Sequence, residues 1–82
     1  MVNKTDKRMK AQAARTLQAD DAFQTFMAEV RDEQMRIFAN SGVEEIDLRE
    51  DAHAIIRALN QIDIRLEAAI GVEKMLDRKE KR

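Results

Sequence analysis

The chain has no cysteine, no proline, no tryptophan and no tyrosine, with only two glycines and three phenylalanines in 82 residues. Each absence removes a class of structure. Without cysteine there is neither a disulfide framework nor a thiolate metal site, which fits a reducing compartment. Without proline, and with glycine only at Gly42 and Gly71, few places remain where a helix must stop. No apolar run approaches the roughly 20 residues that a membrane span requires. Nor does the start read as a signal peptide, because Lys4, Lys7, Arg8 and Lys10 lead into no continuous apolar segment. The expectation is a soluble, unsecreted chain that makes no membrane contact.

Eighty-two residues make one domain, near the lower limit at which a single core holds a chain without staples. It reads as one helical domain over 1–82, with frayed ends at 1–4 and 79–82. The net charge is −1, but its distribution is uneven. Residues 1–18 carry +4, residues 19–52 carry −7, residues 53–70 balance, and residues 71–82 carry +2. A basic start, an acidic waist and a basic tail make a dipolar pattern. Either these are solvated faces, or the ends meet an anionic surface or the acidic waist of the same or a neighbouring copy.

The stretch from Asp47 to Leu76 organises the rest. Leu48, Ala52, Ile55, Leu59, Ile62, Leu66 and Ala69 recur at three- and four-residue spacing, and Ile56 and Ile70 widen that line into a stripe. A helix of 3.6 residues per turn returns such positions to one face. A helix is predicted from Leu48 to about Arg78, with Gly71 either ending it or merely softening it. Asp47 and Glu50 have the spacing of a capping box at its start. Leu48, Ile55, Leu59, Ile62, Leu66 and Ile70 are the candidate self-association residues. Ile46, Ile64 and Met75 share an azimuth on the back of the same helix and form a candidate second contact surface.

Upstream, Thr5 to Gln18 is rich in helix formers, with Met9, Ala13 and Leu17 as a thin stripe. An isolated helix of that length is marginal, so it is predicted to be helical only where it docks. A second helix begins near Asp20, a candidate N-cap followed by Asp21 in the first turn. Phe23, Phe26, Met27, Val30, Ile37 and Phe38 fall on one of its faces, interrupted by Gln34. Asn40-Ser41-Gly42 ends it, and a left-handed cap is expected there. At 20 residues the second helix is too short to cover the third. The fold class expected is all-α: an antiparallel helical hairpin with a short N-terminal helix and a long C-terminal helix, self-associating.

Little here can carry chemistry. Glu50-x-x-His53 has the spacing of a di-iron half-site, but both residues point away from the apolar stripe. The acidic run from Glu44 to Asp51 lacks the alternation and central glycine of a calcium loop. One histidine and no cysteine leave no nucleophile–base pair, and no glycine-rich phosphate loop is present. The reading is non-enzymatic, with no cofactor and no metal. Lys7, Arg8 and Lys10 are the candidate anion contacts, and a basic helix can enter a major groove. The acidic balance and the apolar residues on that segment make nucleic acid the lesser reading.

LQADDAFQTFMAEVRDEQ (17–34) resembles the first helix, and REDAHAIIRALNQIDIRLEAAI (49–70) the second, of short helical proteins encoded by tailed bacteriophages and prophages, often among virion-assembly genes. Those proteins commonly have proline before Ala-Phe, where this chain has Asp21, and an aromatic where His53 stands. The basic extension from Lys74 to Arg82 departs from their usual ending. The resemblance implies a setting, phage virion assembly; taken with the uncovered helix faces, the reading is an accessory or adaptor protein in head or head–tail assembly, binding itself and a larger phage structural protein. Its implied place is the host cytoplasm during assembly, or the virion. The alternative is a phage-encoded binder of nucleic acid or of a host defence or replication protein.

Overall fold

The computed structural model describes residues 4–80. Three helices make up the chain: α1 (Lys4–Ala19), α2 (Asp21–Asn40) and α3 (Ile46–Glu80). There is no strand among the described residues, so the fold is all-α.

A single residue separates α1 from α2. Asp20 is extended, and its carboxylate accepts the Phe23 N–H at 2.7 Å, satisfying one of the open donors of the α2 start. α1 and α2 together therefore form one long arm with a break in it. That arm lies antiparallel to α3: Arg8 stands opposite Asp77 and Glu80, Gln18 opposite Glu67, Arg31 opposite Asp63, and Phe38 opposite His53. The helical hairpin is as expected, but α2 is not left to cover α3 alone. α1 extends it, covering the C-terminal half of α3 while α2 covers the N-terminal half.

The seam explains why the chain folds this way. On α3 the buried and half-buried positions include Ala52, Ile56, Leu59, Asp63, Leu66, Ile70, Glu73 and Asp77. Their spacing alternates between four and three residues, the pattern that keeps one seam facing a partner helix along its whole length. The opposite arm contributes Ala11, Ala14, Phe23, Met27 and Gln34. α1 docks through Ala11 and Ala14, not through the stripe of Met9, Ala13 and Leu17. Small alanines let the two backbones approach, whereas Met9 and Leu17 remain exposed.

α2 ends at Asn40 as expected, but the form of its cap and the start of α3 differ from expectation. Ser41 is extended and its hydroxyl donates to the Phe38 carbonyl at 2.7 Å; no described residue takes a positive φ. Gly42 instead lies close against the Glu45 side chain. A side chain on it would crowd the Glu45 carboxylate, whose Oε1 accepts the Gly42 N–H at 2.8 Å. The start of α3 lies at Ile46, and the Arg49 N–H donates to the Glu45 carbonyl. Glu45 thus occupies the position that Asp47 was expected to fill, and Asp47 becomes an acid in the first turn. Arg49 closes the turn by donating to the Gly42 carbonyl at 2.9 Å.

At the far end α3 runs through Gly71 without a break to Glu80. Lys4, Lys79 and Glu80 are helical, and residues 1–3 and 81–82, the rest of the expected frayed ends, lie outside the described residues. The result is a rod of 58 × 24 × 21 Å with a radius of gyration of 17.4 Å. A compact domain of this length would have a radius near 12 Å. Two helix diameters give one layer, and one layer leaves its faces open.

Candidate interaction surfaces

The seam holds little apolar bulk. Buried hydrophobic residues are Ala11, Ala14, Met27, Ala52, Leu59 and Ala69, so only Met27 and Leu59 are large. Much of the rest of the seam is charged. The Arg8 guanidinium reaches Asp77 at 2.7 Å and Glu80 at 2.9 Å. Those hydrogen bonds, to Asp77 first and then Glu80, raise the Arg8 pKa above its ordinary value. The raised value lies far above neutral pH, so the pairing does not switch off through loss of the Arg8 proton at ordinary pH. Arg15 forks onto Glu73, with a second contact from Nη2 at 3.4 Å. Gln18 donates to Glu67 at 2.9 Å, and Arg31 to Asp63 at 3.1 Å.

The basic start therefore meets carboxylates of the tail, Glu73, Asp77 and Glu80, and not the acidic waist. Summed over residues 71–82 the tail is basic, but Glu73 and Asp77 occupy seam positions and Glu80 reaches Arg8 from an exposed one, while Lys74, Arg78 and Lys79 are exposed. Among the candidate anion contacts, Arg8 is engaged in these pairs. Lys7 and Lys10 are exposed and, with Arg65, edge a groove of about 290 Å³ floored by Ala68, Ala69 and Val72.

The α3 stripe is divided by the fold. Leu59 is 8% exposed, and Leu66 and Ile70 are half-buried, so these three serve the hairpin itself. Leu48, Ile55 and Ile62 remain 43%, 39% and 41% exposed. Counting 100° per residue from Leu59, they lie about 20°, 40° and 60° to one side of the seam. On α2, counting from Met27, Val30, Ile37 and Phe26 lie about 60°, 80° and 100° away in the same rotational sense. In an antiparallel pair, the same sense on both helices means the same side. The six residues therefore share one face of the rod, here called the Ile62 face. The Arg31–Asp63 and Phe38–His53 contacts put Val30 level with Ile62, and Ile37 level with Ile55.

The opposite side carries an apolar hollow of about 320 Å³, lined by Met35, Phe38, Ala39, His53 and Ile56. His53 stands with its ring centroid 6.3 Å from that of Phe38. Glu50 is exposed one turn away and has no part in capping α3, whose start is made by Glu45. No group of three potential ligands converges among the described residues. Ile46, Ile64 and Met75 are each more than half exposed on the outer surface of α3. No helix among the described residues is long and apolar enough to cross a membrane.

The contribution of α2 to the Ile62 face was missed in the sequence. Phe26 and Val30 read there as part of the inward stripe, yet Phe26 is 66% exposed. The available signal was the alternating spacing through Asp63, Glu73 and Asp77. Accepting acids as seam residues moves the seam sideways and turns Ile55 and Ile62 outward. Comparison with protein-family models, with curated proteins and with solved structures found no match for this chain.

Proposed function

We propose that this protein is a non-enzymatic adaptor that works by helix-mediated association, with copies of itself and with a larger protein. The setting implied by its resemblance to short phage proteins is head or head–tail assembly, in the host cytoplasm and then in the virion. One observation carries the reading. Fourteen large apolar side chains, from Met9 to Met75, are exposed, against two large ones buried. A hydrophobic side chain left in water forgoes roughly 1.5–3 kcal/mol of burial. Five of the fourteen, Phe26, Val30, Leu48, Ile55 and Ile62, lie together on the Ile62 face, and exposed apolar residues gathered on one face support an association surface.

Nucleic acid is the second reading, supported by Lys7, Lys10 and Arg65 along one groove. Arg8 and Arg15 weigh against it, because their guanidinium groups are engaged with α3 carboxylates. Sedimentation velocity between about 1 and 100 µM tests the first reading. An oligomer whose thermal midpoint rises with concentration is expected. A monomer with a concentration-independent melt would rule it out, and salt-sensitive retention of that monomer on DNA would favour the second reading.

A further inference from the structure

The two ends of the rod differ in charge and in relief, and the differences match. Residues 4–19 and 64–80 make one end. There α1 carries five bases against Asp6, and the α3 portion is neutral, giving +4. Residues 20–63 make the other end, with eleven carboxylates against four arginines, giving −7. On the Ile62 face, the acidic end presents a ridge of Leu48, Ile55 and Ile62. The basic end presents the groove over Ala68, Ala69 and Val72, edged by Lys7, Lys10 and Arg65.

We propose that two copies pack through their Ile62 faces with their long axes antiparallel, forming a four-helix bundle about a two-fold axis that passes beside Ile62. This rests on the self-association reading and gives it a geometry. The heptad edge of α3, Leu48, Ile55, Ile62, Ala69 and Leu76, is symmetric about its middle member. Reversed onto itself, it sets Ile62 against Ile62, Ile55 against the small Ala69, and Leu48 against Leu76. Each ridge then enters the groove of the other copy, large opposite small, as antiparallel helices pack. On the second arm, Val30 meets its own counterpart, and Ile37 comes level with Leu17 of the other copy. Asp47, on the same side of α3 as the ridge, comes level with Lys7 and Lys10, and Asp51 follows one turn along the same edge. A parallel arrangement would put both acidic ends together and leave both grooves unfilled. The rod is 58 Å long, which leaves room along one side for the roughly 800 Å² per partner of a stable interface, and a closed two-fold pairing is the usual form for identical chains.

Single cysteines introduced into this cysteine-free chain test the geometry. A disulfide needs Cα atoms about 4.4–6.8 Å apart. Under mild oxidation, Ile62→Cys is expected to give a covalent dimer, and Leu48→Cys alone none. A mixture of Leu48→Cys and Leu76→Cys should give the cross-linked pair. Self-cross-linking of Leu48→Cys would mean parallel copies and overturn the proposal. A dimer by light scattering that Ile62→Cys does not cross-link would place the contact on another face and overturn it equally. In both cases the self-association reading survives, whereas a monomer in every variant removes both. The charges give a second test that needs no disulfide. Lys7→Glu with Lys10→Glu should weaken dimerisation on the order of tenfold, since a few exposed pairs are lost at each end. Adding Asp47→Lys and Asp51→Lys should restore it, and failure of that rescue in a folded protein counts against the pairing.

Discussion

Replacing Gly71 by alanine should stabilise this protein. Gly71 lies inside α3, nine residues before its end, and takes no positive φ. A Cβ built there meets nothing within 4 Å, so the substitution introduces no clash. What remains is backbone entropy, since glycine in a helix interior costs about 0.5–1 kcal/mol relative to alanine. For a chain of this size, 1 kcal/mol corresponds to about 4–8 °C in Tm, so a rise of about 2–8 °C is expected. The assay is thermal circular dichroism at 222 nm, at matched protein concentrations, because the proposed association would make Tm depend on concentration. Gly71 lies about 120° around α3 from Leu59, on the side away from Ile62. Under the proposed pairing, the dimer dissociation constant should therefore not worsen. A lower Tm would refute the reasoning, because it would mean that something fills the space beside Gly71, and the Ile62 face would not be the contact. An unchanged Tm would mean that α3 is not helical through that position in solution.

The remaining expectations separate the seam from the outer faces. Leu59→Ala removes one of the two large buried apolar side chains and should cost about 2–5 kcal/mol, read by urea unfolding; a loss below about 1 kcal/mol would mean that the seam is misplaced. Ile64→Ala, on the exposed back of α3, should stay within about 0.5 kcal/mol of the parent in the same assay. Glu45→Ala removes the carboxylate that accepts the Gly42 N–H and should cost about 0.5–1.5 kcal/mol, whereas Glu50→Ala should be near neutral. The reverse order in the melts would restore the capping box of Asp47 and Glu50.

Much of the fold was legible because it rests on short-range chemistry. The three- and four-residue spacing from Leu48 to Ala69, the absence of proline, and Asp20 before an apolar face specify helices and their order without reference to any distant contact. The need for α1 to dock was also legible, because a helix of that length is marginal alone. Three features were not. The start of α3 depends on Glu45 reaching back to Gly42, a choice between neighbouring acids that sequence spacing alone leaves tied. The docking face of α1 was read from its largest apolar residues, but close approach of two helices selects Ala11 and Ala14, because small side chains bring more backbone and methylene surface into contact. The third concerns the candidate site itself, where Leu59, Leu66 and Ile70 went inward and Leu48, Ile55 and Ile62 stayed outward.

That division has one physical cause. A stripe of apolar residues specifies that a helix has a buried side, but its width here exceeds what a single partner helix can cover. Which edge is covered is decided by the partner's own side chains. Arg8, Arg15 and Arg31 select the edge bearing Asp77, Glu73 and Asp63, because a guanidinium beside a seam must find a carboxylate or remain in water. Periodicity alone determined that α3 would be amphipathic and that the chain would be helical throughout. Only the tertiary structure decided that its acids would flank the seam, and so which isoleucines would be left to face outward.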